Sequence, residues 1–413
     1  MAKFFSLVLA ALMMLAPSLA FAGPGGPACD TVAPNWNATT NSSGLWFFNS
    51  STGVSSGADQ DNGTTTGTGA LPTLINPTFS LLGNDALGHP DLNGDGITDV
   101  VMTEPGGFTF GYIMQDNGAG FVSVASMGPL PGLITPDYRY SGLPDLNGDG
   151  KTDLCEIHTG GFHYCYLMDG LTVLGMGQVD GPITPDFRII GYPNMDGANG
   201  DDVTIQHTGG FTYTYIIGPD AGTFVQTTAM GATGSLITTD FATIGFPDLN
   251  GDNKADIVTQ HTGGFTYAFT QDGVTELGQG AIDGLITTDF VTLGFPDMDG
   301  DGNADHVMQH TGTFTYAFLE QSDGAGFVQN KGAGQVNGPP DATFVLRGFP
   351  DINCDNAADI TFQAPGGFTV AYAAGASGFM DTSTQRVLEA APAGSTTRDW
   401  AKGWSVLPDP FAP

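Results

Sequence analysis

Apolar and polar positions alternate along most of the chain in short runs, and the runs end at clusters of Gly, Pro, Asp or Asn. Period-two alternation over a few residues marks a strand with one buried face, and the clusters mark tight turns. The pattern is clearest between Phe241 and Gly278. There, Phe241 to Phe246, Ile257 to Gln260, Phe265 to Phe269 and Val274 to Gly278 read as four successive strands. In the third, Phe265-Thr266-Tyr267-Ala268-Phe269, large aromatics occupy alternate residues, which predicts packing between layers. The spacing of a long amphipathic helix appears nowhere.

This block is one of six, marked by Pro90, Pro144, Pro193, Pro247, Pro296 and Pro350 at spacings of 54, 49, 54, 49 and 54 residues. Odd repeats carry a longer outer hairpin, as at Asp116 to Phe121 and Asp323 to Phe327; even ones turn sooner, as at Asp169-Gly170 and Asp272-Gly273. The alternation points to duplication of a two-repeat unit. Four short antiparallel strands per repeat of about 50 residues predict an all-β propeller, each repeat forming one blade. At the N-terminal end, Gly44-Leu45-Trp46-Phe47-Phe48 resembles the third strand of a repeat, with no acidic loop before it. At the other end, Arg398-Asp399-Trp400 resembles a first strand. A last blade shared by the two ends would close the ring and remove its open edge. The expected count is seven blades, with six and eight open. A Gly/Ser/Thr-rich stretch from Ser50 to Gly69 reads as a mobile loop.

Between the first and second strands of each repeat lies an acidic loop, Asp-x-Asn/Asp-x-Asp-Gly/Asn-x-x-Asp. Its side-chain oxygens at positions 1, 3, 5 and 9, with the carbonyl at 7, can wrap one hard cation. The intact copies supply Asp91, Asn93, Asp95, Ile97 and Asp99; Asp145, Asn147, Asp149, Lys151 and Asp153; and Asp248, Asn250, Asp252, Lys254 and Asp256. Two further copies supply Asp297, Asp299, Asp301, Asn303 and Asp305, and Asp351, Asn353, Asp355, Ala357 and Asp359. Position 6 must bend sharply and holds only Gly96, Gly150, Asn253, Gly302 or Asn356, residue types that accept positive φ. Carboxylates held this close repel unless a divalent ion sits among them, and all-oxygen ligation favours Ca2+, at about five sites. The third copy, Asn194 to Asp202, has Ala198 at position 5 and is expected to be weak or empty.

These loops and their flanking strands, from about Gly88 to Tyr372, resemble the FG-GAP/VCBS repeats of integrin α-subunit propellers and of many exported bacterial proteins. The resemblance implies a bladed propeller with calcium on the loops between first and second strands. It also brings sugar-binding propellers within reach, so a glycan is one candidate partner.

The N terminus changes where the protein is expected to act. Lys3, an apolar run from Phe4 to Leu15 and Ala20-Phe21-Ala22 form a secretory signal cut after Ala22, leaving no membrane-spanning stretch. The expected organisation is a signal at 1–22 and a single propeller over 23–413. Within it, the closing blade's first strands lie at 23–80, six repeats at 81–390 and the closing strand at 391–413. The chain is expected to be extracellular or periplasmic. Its formal net charge of −33, with only 10 Lys and Arg, argues against nucleic acid and anionic membranes. Export also favours disulfides. Cys155 and Cys165 would face each other across a hairpin, leaving Cys29 with Cys354, although three pairings are possible.

His158, His207, His261 and His310 share one repeat position before Thr-Gly, at the turn between second and third strands. They either cap their own turns or form a ring that binds a ligand. Enzyme signatures are scarce: Gly53-Val54-Ser55-Ser56-Gly57 matches a nucleophile motif without its strand-to-helix setting. The expectation is therefore a calcium-binding, non-enzymatic propeller that recognises an extracellular glycan or protein. The alternatives are a polysaccharide lyase or hydrolase on the same scaffold, and a structural surface or matrix protein.

Overall fold

A computed structural model describes residues 42–48, 55–61, 64–71, 79–82, 90–95, 97, 99–104, 106–116, 122–181, 184–198, 200–220, 224–234, 238–282, 289–311, 314–336, 344–349, 357–363, 369–374, 380–387 and 396–399. The expected signal segment, Cys29, Cys354, Asp351, Asn353 and Asp355 lie outside these residues. The described strands form seven four-stranded antiparallel sheets and no helix. In the blade of the fourth repeat the order is Phe241–Gly245, Ile257–His261, Thr266–Asp272 and Thr275–Ala281, each pairing with the next. The other repeats follow the same order. The long outer strands Val122–Leu130, Val225–Thr233 and Val328–Val336 belong to the odd repeats, as the spacing predicts.

The seventh sheet joins the two ends of the described chain: Thr396–Asp399 pairs with Ser42–Phe48, followed by Ser55–Asp61 and Thr64–Leu71. Two expectations change here. The Gly44 to Phe48 segment is the second strand of its sheet, not the third. The stretch read as a mobile loop contains two strands. For the outermost of them, Thr64–Leu71, the physical reason is visible in another blade: the outermost strand Thr172–Val179 is mostly exposed, so a strand at that place needs no apolar stripe.

Adjacent blades are fitted together at two levels. In four first strands a glycine (Gly142, Gly191, Gly245 and Gly294) leaves space for an aromatic ring of the next blade. A Cβ on Gly191 would sit 2.5 Å from Phe246, and one on Gly294 would sit 2.8 Å from Phe349. Backbone hydrogen bonds form the second level. The carbonyl of loop position 1 accepts the position 8 amide of the next loop: Thr152 to Asp91, Asp201 to Asp145, Ala255 to Asn194, Ala304 to Asp248 and Ala358 to Asp297, all at 2.7–2.8 Å. The acidic loops are thus strung from blade to blade along one face.

Cys155 and Cys165 are disulfide-bonded directly across the second and third strands, with Cα atoms 4.2 Å apart. At the same slot in the following blade, Thr204 and Thr214 hydrogen-bond at 3.0 Å instead. The bridge replaces a small buried cross-strand contact without altering the blade.

Candidate metal centre

Each acidic loop is shaped by its own carboxylates. In the loop beginning at Asp248, Asp248 Oδ1 accepts the amides of Gly251 (2.7 Å) and Asp252 (3.1 Å), and Oδ2 accepts that of Asn253 (2.7 Å). Asp252 Oδ1 accepts the amide of Lys254 at 3.0 Å. Bonds of the same kind recur in the loops beginning at Asp145 and Asp297. The Asp91 loop shows them from Asp91 and Asp95 as well. The chain must turn sharply for one side chain to collect so many amides. Position 6 has positive φ at Gly150, Asn253 and Gly302 (79°, 63° and 87°), as the residue types predict. Position 4 does the same at Gly94, Gly148, Gly251 and Gly300, a requirement the sequence reading did not single out.

Position 9 has a longer reach. Asp256 is fully buried, its Oδ2 accepting the amide of Leu249 (2.9 Å) and its Oδ1 that of Gln271 (2.8 Å). Gln271 follows the register shift between the third and fourth strands. Asp99, Asp153, Asp202 and Asp305 make the same pair of bonds, to Met114, Met168, Ile217 and Glu320 on the third strand and to the position 2 amide in the loop. This residue ties the loop to the body of its blade, whether or not it also faces an ion.

Burial dominates the electrostatics. It pushes the carboxyls of Asp145, Asp248 and Asp297 up to about 6, against backbone hydrogen bonds that pull the other way. Asp99 and Asp153 rise further, to about 8, and Asp256 and Asp305 stand well above the ordinary carboxylate value for the same reason. Neighbouring carboxylates add to the effect. Anionic groups that burial penalises are those a divalent cation would rescue.

The loop beginning at Asp297 meets the geometric requirement most directly. One carboxylate oxygen from each of Asp297, Asp299 and Asp305 lies within 4.8 Å of the others. Asp299 Oδ1 and Asn303 Oδ1 are buried without a hydrogen-bond partner. Buried acceptors left without a donor are costly, and an oxygen-seeking ion would satisfy them. The donor set therefore fits Ca2+.

The third loop is different. Asn194 Oδ1 accepts the amide of Gly197, and its Nδ2 donates to the carbonyl of Ala198, so a hydrogen bond spans the loop where position 5 lacks a carboxylate. Of the sixth loop, Ala357 and Asp359 are described and both are buried.

Lysines also cluster at the loops. Lys151 Nζ bonds Asp169 (2.7 Å) and Lys254 Nζ bonds Asp272 (2.5 Å), each in the short outer hairpin of its blade. Their stems pass over the preceding loop, 3.1 Å from a Cβ built on Gly94 and 3.2 Å from one on Gly197. No sequence signal beyond their position in the loops pointed to this packing.

The histidines have a local role in the turns. His158, His207 and His261 accept the amides of Gly160, Gly209 and Gly263 through Nδ1, each at 2.8 Å. His207, His261 and His310 stack on Phe211, Phe265 and Phe314, with ring centroids 4.4, 4.6 and 4.3 Å apart. First-strand aromatics Phe187, Phe241 and Phe290 meet the same rings edge-on. With Nδ1 accepting, the neutral ring carries its proton on Nε2. Beside His261 a cleft of about 310 Å³ is lined by Asp240, Phe241, Gln260, Thr262 and, from the next blade, Phe290. The structure thus holds the four histidines at equivalent turns, one to a blade, and does not converge them on one point.

The fold and loops define an all-β, bladed repeat protein. Residues 84–124, which include the first acidic loop, match the FG-GAP repeat family, so the chain carries an FG-GAP repeat. A search of curated protein sequences gives no match. Among solved structures, apo AztD of Citrobacter koseri aligns over 88% of this chain and 99% of its own, at 10% identity and TM-score 0.41. Dihydro-heme d1 dehydrogenase NirN aligns over 86% and 74%, at 10% identity and TM-score 0.44. At such scores they inform neither ligand nor activity. Among the described residues no helix is long and apolar enough to cross a membrane.

Proposed function

We propose that this protein is a secreted, calcium-loaded propeller of seven blades that binds an extracellular glycan or protein in recognition or adhesion. The observation that carries the calcium part is the Asp297 loop, where three carboxylates converge and a buried oxygen of Asp299 has no donor. The matching wiring of the Asp91, Asp145 and Asp248 loops extends the reading to them. The FG-GAP match supports the same assignment. Pairing of Thr396–Asp399 with Ser42–Phe48 supports a ring closed by the chain ends.

The ligand part rests on the face that carries the histidine turns. The cleft at His261 presents apolar rings beside Asp240, Gln260 and Thr262, the mixture that sugar hydroxyls and C–H faces require. A glycan array and a cell-surface pull-down, both run in calcium, test it. Binding that falls when Phe241→Ala removes the cleft's floor is the expected result. Silence of the folded, calcium-loaded protein in both assays would refute the recognition role.

A further inference from the structure

The Asp297 loop departs from the other intact described loops in two ways, and the departures fit each other. The loops beginning at Asp91, Asp145 and Asp248 carry Asn at position 3 and therefore three side-chain carboxylates; the Asp297 loop carries Asp299 there and has four. Among the described ion pairs it is also the loop whose own carboxylates bond a lysine ammonium. Lys331 Nζ bonds Asp299 Oδ2 at 2.5 Å and Asp301 Oδ2 at 3.0 Å.

The fold sets up this contact. The third and fourth strands of the blade pair Leu319 with Gly332 and Glu320 with Asn330, leaving Lys331 as the extra residue of a bulge. A bulge re-aims one side chain out of the ladder. The extra residues at the same shift in other blades are Ala125, Leu174, Thr228 and Leu277, none of them charged. Lys151 and Lys254 differ again, since their partners are hairpin aspartates outside the loops. Lys331 holds the outer oxygens of two loop carboxylates. The other oxygen of Asp299, Oδ1, is buried and unpartnered, the side chain being only 5% exposed, and one oxygen of this carboxylate lies within 4.8 Å of one from each of Asp297 and Asp305.

We infer that Lys331 is a built-in counter-charge that sets the cation affinity of the Asp297 loop, offsetting its fourth carboxylate while turning the inner oxygen of Asp299 toward the ion. This rests on the calcium reading above. Four carboxylates and one ammonium give the loop the same net charge as three carboxylates and an asparagine. Lys331 is a positioning residue and does not itself touch the ion. A unit charge one carboxylate away from a divalent ion changes its binding on the order of tenfold in a surface-like dielectric, and salt reduces the effect.

The charge balance predicts a cycle of variants. Crystals of the wild-type chain, Lys331→Met, Asp299→Asn and the double variant are soaked in sub-saturating lanthanide. Anomalous scattering then gives occupancy at the Asp297 loop relative to the Asp248 loop in the same molecule. Lys331→Met should tighten the Asp297 site roughly tenfold, and Asp299→Asn should weaken it by a similar factor. The double variant, which reproduces the ligand set of the other loops, should return close to wild type. Melting in chelator shows that all four proteins fold alike. A Lys331→Met site that binds no tighter, a double variant that fails to return, or an empty wild-type Asp297 loop beside a filled Asp248 loop would each overturn the inference while leaving the calcium reading standing. Ions at neither loop would overturn both.

Discussion

The loop from Asp248 to Asp256 and the loop from Asn194 to Asp202 occupy the same place in consecutive blades and do different chemistry. Both accept the position 8 amide of the following loop, Ala304 and Ala255 respectively. Both tie themselves to the third strand through a fully buried position 9 carboxylate, Asp256 and Asp202. Only the first keeps carboxylates at positions 1 and 5. In the second, the amide of Asn194 bonds the carbonyl of Ala198, spanning part of the space an ion would fill. On the proposed calcium reading, holding the blades together and holding the ion are separable tasks of one motif. The third loop lacks the carboxylates at positions 1 and 5 and keeps the structural contacts.

Chelation breaks the comparison most strongly, because it should affect one loop and spare the other. A site filled at ten times its dissociation constant contributes about 1.4 kcal/mol, so on the proposed calcium reading the four described intact loops together would contribute about 5–6 kcal/mol in millimolar calcium. A thermal melt with and without chelator should show a large downward shift. An unchanged melt would remove the ion from the account of stability. The chelated protein should also depend on pH. The Asp153 and Asp202 carboxyls are pushed up to about 8 by burial, above the unfolded value near 4. A folded value above the unfolded one stabilises fully at low pH and is lost as pH rises through about 8. The chelated protein should therefore melt lower at pH 8 than at pH 5, and calcium should reduce that slope at Asp153 but not at Asp202.

The next effect in size separates the two tasks by mutation. Asp202→Ala strips the acceptors from the buried amides of Met195 and Ile217, at a cost of about 3 kcal/mol that should be the same with or without calcium. Asp252→Ala removes an exposed carboxylate that the calcium reading makes a ligand, and should cost about 1–2 kcal/mol in calcium and much less in chelator. If Asp202→Ala were harmless in chelator, position 9 would be an ion ligand alone.

What the sequence made legible follows the same division. Ligand types at fixed spacing and the bend at position 6 are local properties, so they could be read from Asp248, Asp252 and Asn253 without a structure. The bonds from Asp256 to Gln271 and from Lys331 to Asp299 join positions 15 and 32 residues apart, and both depend on where a bulge falls. No local pattern fixes a bulge register. The strand Thr64–Leu71 is hidden in the sequence for another reason: the outermost strand of a blade buries little, so its sequence resembles that of a loop. The histidine turns sit between these cases. Spacing puts the four residues at one repeat position, but an amide bonded to Nδ1 (His158, His207 and His261) and a stacked Phe ring (His207, His261 and His310) are what give them a structural role.

The smallest expected effect is the sharpest test of separability, because it adds a task to a loop instead of removing one. Asn194→Asp with Ala198→Asp would give the third loop carboxylates at positions 1, 3, 5 and 9, since Asp196 and Asp202 are already present. Position 4 of its turn is already in place, with Gly197 at a φ of 69°, and so is the position 9 tie to Ile217. Lys254, whose charge already interacts with Asp196, offsets part of the added negative charge. The double variant should bind one more calcium per molecule by calorimetry and gain about 1 kcal/mol in millimolar calcium. In chelator the sign should reverse, because two new carboxylates then repel Asp196 and Asp202 with no ion between them. A variant equally stable in both conditions would show that the loop's geometry, and not only its ligand set, had been lost to ion binding.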